Sequence, residues 1–195
     1  LDGLTNCSQS EIKVLHQYLC KINRLVDDLH ELSKFDELDF RLKTEVFSVQ
    51  GLLLFERDAF KQRFLKKGLT LNCDDIASDL QLLADQQRMA QVIRILLENC
   101  LKYTEEYGRV WLKASKAGNN IELIVEDSGP GVEPEDLTKL FERLYRGVGV
   151  ADGSGLGLSI CKSIIDAHKG TIDASLNDHG GLKMTIRLPL NHSRV

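Results

Sequence analysis

Between residues 88 and 104 the apolar positions Met89, Val92, Ile93, Leu96, Leu97, Cys100 and Leu101 recur three and four apart, a spacing that predicts a helix over 85–104 with one buried face. A second such run, Ile12, Leu15, Leu19, Ile22, Val26 and Leu29, predicts a helix over 9–34 with the a/d seam of a packed bundle. Tyr18, Leu25 and Leu32 widen that stripe beyond a two-stranded seam, as a four-helix bundle requires. Either helical partners cover this face, giving a dimer, or the helix folds back on the rest of the chain. Ser48 is placed to cap a helix that runs to Lys67 and stops at Gly68, and Leu158, Cys161, Ile164 and Ile165 predict a further helix over 155–168. Strand patterns fall near 41–47, 69–73, 109–117, 120–127, 171–177 and 181–189, with Gly118-Asn119-Asn120 joining two of them as a hairpin. Helices and strands alternate around a hairpin, so the expected fold is an α/β (α+β) sandwich, a mixed sheet covered on one face by helices.

Polar residues beside these stripes carry the candidate chemistry. At 100° per residue, Arg88, Ile95, Asn99 and Lys102 fall within about 60° along one edge of the 85–104 helix. A neutral oxygen ligand beside a cation suits a polyphosphate carrying Mg²⁺, which keeps several waters and takes few protein ligands. An amphipathic helix with solvated polar residues has the same pattern, so this edge alone selects nothing. Downstream, the β-rich run 121–127 ends in Asp127-Ser128-Gly129-Pro130-Gly131. A carboxylate there can accept from an exocyclic amine, and glycines after it let backbone approach a flat ring such as adenine; an ordinary acidic turn is the alternative. Gly153-Ser154-Gly155-Leu156-Gly157-Leu158 then opens the last predicted helix, whose unpaired amides and dipole favour phosphate. Neither a Walker Gly-Lys-Ser/Thr nor a strand-to-helix Gly-x-Gly-x-x-Gly is present.

Composition adds exclusions. A net charge of −4, a pI near 5.8 and the lack of a basic patch with interleaved aromatics argue against nucleic acid as a partner. The five cysteines are scattered without metal-ligand spacing, which points to a reducing compartment, and Cys100 and Cys161 sit on apolar helix faces as small core residues. No run of about 18 apolar residues occurs, so no direct membrane contact is expected of this chain.

Taken in order, the Asn99 helix, Asp127-Ser128-Gly129-Pro130-Gly131, Leu140-Phe141-Glu142-Arg143-Leu144-Tyr145-Arg146, Gly153-Ser154-Gly155-Leu156-Gly157-Leu158, and Gly180-Gly181 with Leu188-Pro189 resemble the N, G1, F, G2 and G3 boxes of bacterial sensor histidine kinases. The resemblance spans residues 10 to 190, and 25–33 is most similar to the BaeS-type envelope-stress sensors. It implies the histidine kinase, gyrase, Hsp90 and MutL type of ATP-binding fold over 39–195, preceded by the second dimerisation helix over 1–38. It implies ATP and Mg²⁺ as cofactors: Asn99 on the metal, Lys102 on phosphate, Tyr103 against the base, Asp127 on the adenine amine, and Gly129, Gly131, Gly153, Gly155, Leu156, Gly157 and Leu158 lining the pocket. Residues 132–154 would form a mobile lid, with Arg143 and Arg146 as phosphate contacts. Homodimerisation through the N-terminal helix, a cognate response regulator, and a place in the cytoplasmic portion of an inner-membrane receptor are further implications.

Two departures qualify the resemblance. Ile95 stands where the family carries a second asparagine and where the gyrase, Hsp90 and MutL relatives place a glutamate base, so hydrolysis is not the expected main reaction. Glu98, the nearest carboxylate, points away from the Asn99 edge. Second, none of the five histidines sits in the family's His-Glu/Asp pattern followed by proline: His30-Glu31-Leu32 has no proline after it, His168 ends a helix where it complements the dipole, and His16, His179 and His192 lie outside any match. The acceptor histidine is thus expected outside this chain, which should bind ATP without labelling itself. A degenerate kinase-like domain acting through protein contacts is the rival expectation, with Ile95 as its sign.

Overall fold

The computed structural model describes residues 9–35, 41–73, 75–147 and 154–190. Five strands form the main sheet in the order β2(Thr70–Asn72), β4(Arg109–Ala117), β5(Asn120–Asp127), β7(Leu182–Pro189), β6(Thr171–Leu176). β2 runs parallel to β4 and the other pairs are antiparallel, so the sheet is mixed as expected. Period-two alternation explains why it has one wet face. Val110, Leu112, Ala114, Ile121, Leu123, Val125, Met184, Ile186 and Leu188 all point inward and are buried. The outer face carries charge pairs, Lys113 with Glu126 and Arg187 with Glu122, each at 2.8 Å.

Three helices cover the inner face: α2(Val49–Lys66), α3(Gln86–Tyr103) and α4(Gly157–Ala167). Ser48 caps α2 through Gly51 N–H at 3.1 Å, as its position predicts. The expected strand near 41–47 is β1(Glu45–Ser48), and its partner is one that sequence patterning did not reveal: β3(Gln81–Ala84) pairs antiparallel with it as a separate two-stranded sheet. Glu56 of α2 is 1 % exposed and chelated by the Arg94 guanidinium of α3 at 2.8–3.1 Å, so these helices are locked in register by a paired buried charge.

The helix α1(Gln9–Phe35) divides the two expectations for its stripe. Its far end folds back, with Leu32 buried and Leu25 partly buried where α1 packs on α4. Ile12, Leu15, Leu19, Ile22, Val26 and Leu29 are 52–59 % exposed, an apolar seam that nothing else among the described residues covers. No described helix is long and apolar enough to cross a membrane.

Candidate functional site

Asp127 continues the inward row Ile121, Leu123, Val125, but it sits where β5 leaves the core, so a carboxylate occupies the end of an apolar row. It is 9 % exposed, and its Oδ1 accepts from Gly129 N–H at 2.7 Å. Burial raises its pKa above the ordinary carboxylate range, and the amide donors of Gly129 and Leu182 pull it part of the way back. The glycines around it are steric requirements. A Cβ on Gly129 would stand 2.8 Å from Asp127 Oδ1 and 3.2 Å from the Tyr103 carbonyl, and one on Gly181 would overlap the Asp127 carbonyl. Gly131 has φ +68° and faces the Gly180 carbonyl.

Asn177 completes this end, and sequence reasoning missed it. Its Nδ2 donates to the Asp127 carbonyl at 2.8 Å while its Oδ1 accepts from His179 and Gly181 N–H at 2.9 and 3.1 Å. Turn composition over 177–181 announces a turn, but only the β6–β7 register brings that turn back over Asp127. His179 lies in this polar turn and stacks from it on Trp111, with ring centroids 4.7 Å apart.

The edge of α3 lies beside the Asp127 cradle and is held at both helix ends. At its start Asp85 Oδ1 caps Arg88 N–H and Oδ2 accepts Lys43 N–H, at 3.1 and 2.9 Å. Asp85 N–H donates to His168 Nε2 at 3.0 Å, so Nδ1 carries the proton and donates to the Ile164 carbonyl at 2.8 Å. His168 therefore pins α3 to α4, and its bond to a last-turn carbonyl complements the C-terminal end of α4 as expected. At the other end Lys67 Nζ donates to the Leu101 and Thr104 carbonyls at 2.6 and 2.7 Å.

Between these anchors the candidate edge stays accessible. Asn99 is half-buried, while Lys102 and Tyr103 are exposed. Lys102 Nζ donates to the Tyr103 hydroxyl at 2.8 Å and lies 4.6 Å from its ring centroid, so the cation rests on the aromatic. Ile95 is partly buried against the core, and a Cβ on Gly157 would meet its Cγ2 at 3.0 Å. The apolar substitution thus fills the seam between α3 and the first turn of α4. Glu98 does point away, as expected, into a bidentate pair with Arg63 of α2.

Gly155 marks where the segment around Leu144 meets the start of α4. It has φ +70°, its carbonyl accepts from Leu144 N–H at 2.9 Å, and a Cβ there would stand 2.8 Å from the Leu144 carbonyl carbon. Leu156 is fully buried and Leu158 and Gly157 are half-buried. No side chain caps the start of α4. In the segment before it, Asp136 binds Lys139 at 3.2 Å and the Tyr145 hydroxyl; the hydroxyl bond lowers the Asp136 pKa and raises that of Tyr145 to about 12. Arg143 and Arg146 are exposed, and Gly153 lies outside the described residues. Among the described residues no three His, Cys, Asp or Glu side chains converge as a metal site. The donor set here, one amide oxygen with a neighbouring cation, fits a Mg²⁺ that arrives on phosphates and keeps its waters.

A family model for the histidine kinase-, DNA gyrase B-, and HSP90-like ATPases matches residues 84–192. The signal transduction histidine-protein kinase BaeS of Escherichia coli is 36 % identical over 193 residues, which cover 97 % of this chain and 41 % of that protein. The sensor histidine kinase WalK of Bacillus subtilis is 33 % identical, over 85 % of this chain and 28 % of WalK. The chain therefore spans less than half the length of these curated relatives. Among solved structures, the histidine kinase AdeS of Acinetobacter baumannii superposes with a TM-score of 0.80 at 29 % identity, covering 98 % of this chain and 89 % of that one. Full-length ShkA in complex with AMPPNP does so with a TM-score of 0.82 at 26 % identity, covering 96 % and 40 %.

Proposed function

Because this chain belongs to the histidine kinase-, DNA gyrase B-, and HSP90-like ATPase family, we propose that it is the ATP-binding catalytic domain of a two-component sensor kinase, which passes the γ-phosphoryl group of ATP to a histidine on a dimerisation helix. The observation that carries this reading is the Asp127 carboxylate, buried at the end of β5 and oriented by amide donors, with Gly129, Gly131 and Gly181 letting the backbone close tightly around it. The relatives named as sensor kinases and the nucleotide analogue in the ShkA structure support it.

Each residue then has a task that its position allows. Asp127 accepts from the adenine amine, and Tyr103 stacks or packs beside the ring. Gly155, Leu156, Gly157 and Leu158 present the uncapped start of α4 to the phosphates. Lys102 leaves its rest on Tyr103 to neutralise phosphate, Arg143 and Arg146 approach from the lid, and Asn99 is the protein ligand for Mg²⁺, which offsets phosphate charge when bound. Catalysis of this kind is positioning and electrostatics. With Ile95 in the seam, no titratable group stands there to activate water, so transfer to a side chain is favoured over hydrolysis. The apolar seam of α1 serves homodimerisation, and a response regulator receives the phosphoryl group in the cytoplasm, from a receptor of the inner membrane.

Incubation with γ-labelled ATP tests this. The chain alone remains unlabelled, and addition of a histidine-bearing dimerisation helix from its own full-length protein yields acid-labile label. Stable label on the chain alone would revive exposed His30 as acceptor. The rival expectation, a degenerate contact module with Ile95 as its sign, is not favoured by the relatives but makes a distinct prediction. Ile95→Asn separates the two: a large gain in Mg²⁺-dependent affinity points to decay, and little change to a working site.

A further inference from the structure

A groove of about 530 Å³ opens between β2 and β4, and nothing in the nucleotide reading uses it. It lies on the outer face of the sheet. Val110 and Leu112 of β4 point into the core, so Arg109, Trp111 and Lys113 alternate with them and stand outward. The parallel register sets Thr70 beside Arg109 and Asn72 beside Trp111, and all five line the groove together with Asp75. Its volume is that of a ligand site, but its lining is polar rather than apolar, which suits a polar occupant.

The charges follow one another along the groove. Arg109 stands at one end, and its guanidinium has no hydrogen-bond or ion-pair partner among the described residues. Trp111, the only tryptophan of the chain, is half-buried in the middle, and His179 stacks on it without itself lining the groove. At the far end Ala114 N–H donates to the Asp75 carbonyl at 2.9 Å, which places Asp75 beside Lys113. Glu126 neutralises Lys113 at 2.8 Å, whereas the Asp75 carboxylate has no partner among the described residues. Residues 109 and 113 are about 13 Å apart along the strand, at about 3.3 Å per residue. The groove thus has a cationic end, an aromatic middle and an anionic end.

An extended polypeptide has the matching repeat, since its side chains at i, i+2 and i+4 share one face and span about 13 Å. Trp and Arg are also the side chains on which protein interfaces most depend. We propose that the groove docks an extended segment of a partner protein that carries, two positions apart, an acidic residue for Arg109, an apolar one for Trp111 and a basic one for Asp75. The groove shares no residue with the candidate nucleotide site, so its test is independent of that reading. The probes are a blocked peptide, acetyl-Glu-Ser-Leu-Ser-Lys-amide, and two controls with Lys or Glu at both ends, titrated into the chain and read by Trp111 fluorescence, alongside melting of each variant. The mixed peptide should bind about 3- to 20-fold more tightly than either control, because each control loses one exposed ion pair and gains one like-charge contact. Arg109→Glu should move the preference to the doubly basic peptide. Combining it with Asp75→Lys exchanges the two ends and should restore the preference for the mixed peptide, now lying in the opposite direction. Equal binding of the three peptides to wild type, or a double variant that melts like wild type without regaining the mixed-peptide preference, overturns the proposal. Should the variants melt lower, the ranking of the three peptides on wild type still decides.

Discussion

The two ends of the candidate nucleotide site are built differently. The base end is backbone and glycine: Asp127 lies on an interior strand, amides already hold its carboxylate, and Asn177 ties down the loop beside it. The proposed phosphate end is made of long exposed side chains, Lys102, Arg143 and Arg146, with Gly155 against Leu144 beside them. A preorganised end gives recognition at little ordering cost, whereas long flexible cations must be immobilised by the ligand itself. Base recognition should therefore be lost by single changes, and phosphate recognition only eroded.

The largest effect expected is from Asp127→Ala. Losing a hydrogen bond to a charged group should lower ATP and AMP affinity together, by about 10- to 150-fold, measured by calorimetry; an AMP affinity that did not move would place the base elsewhere. Acid should mimic that change. Protonation turns one oxygen into a donor and removes the charge that strengthens the bond, and the pKa is raised by burial, so ATP affinity should fall on acidification from a higher pH than an ordinary aspartate would give. The stability sign is opposite to that of an ion-paired aspartate. With the folded value above the unfolded one, burying the ionised group costs nothing below the unfolded value and costs progressively more as pH rises to the folded value. The melting temperature of wild type relative to Asp127→Ala should accordingly decline from acid to neutral pH.

Smaller and more selective is the effect of Lys102→Ala. It should weaken ATP about fivefold, the scale of one exposed charge contact, and leave AMP nearly unchanged; equal losses for both would mean that Lys102 acts through Tyr103 and the base. Least of all is Tyr145→Phe, which removes the hydroxyl bond to Asp136 within the exposed lid. ATP affinity should change less than about twofold, while limited proteolysis cuts the lid faster; an unchanged cleavage rate would mean that the bond does not order the lid.

Much of the fold was legible because its signals are local. The stripe of α3, the cap at Ser48, the 118–120 hairpin and the placing of Cys100 and Cys161 in the core each need only spacing or a turn residue, and each stands as expected. The β1–β3 pair was not legible, because Gln81-Leu82-Leu83-Ala84 is too short to show a period and its partner lies over thirty residues away. The partner of His168 and the role of Asn177 were missed for a related reason. These roles come from contacts with Asp85 and Asp127, which only the folded chain brings together. Ile95 was read as a gap in a ligand shell, and the fold adds that it is also a packing contact against Gly157.

Calorimetric titration of the chain with ATP, with and without Mg²⁺, is the most direct test. Micromolar binding that Mg²⁺ strengthens is expected from Asp127, Asn99 and Lys102 acting together; no binding under either condition would contradict a working nucleotide site and leave a domain that acts through contact alone.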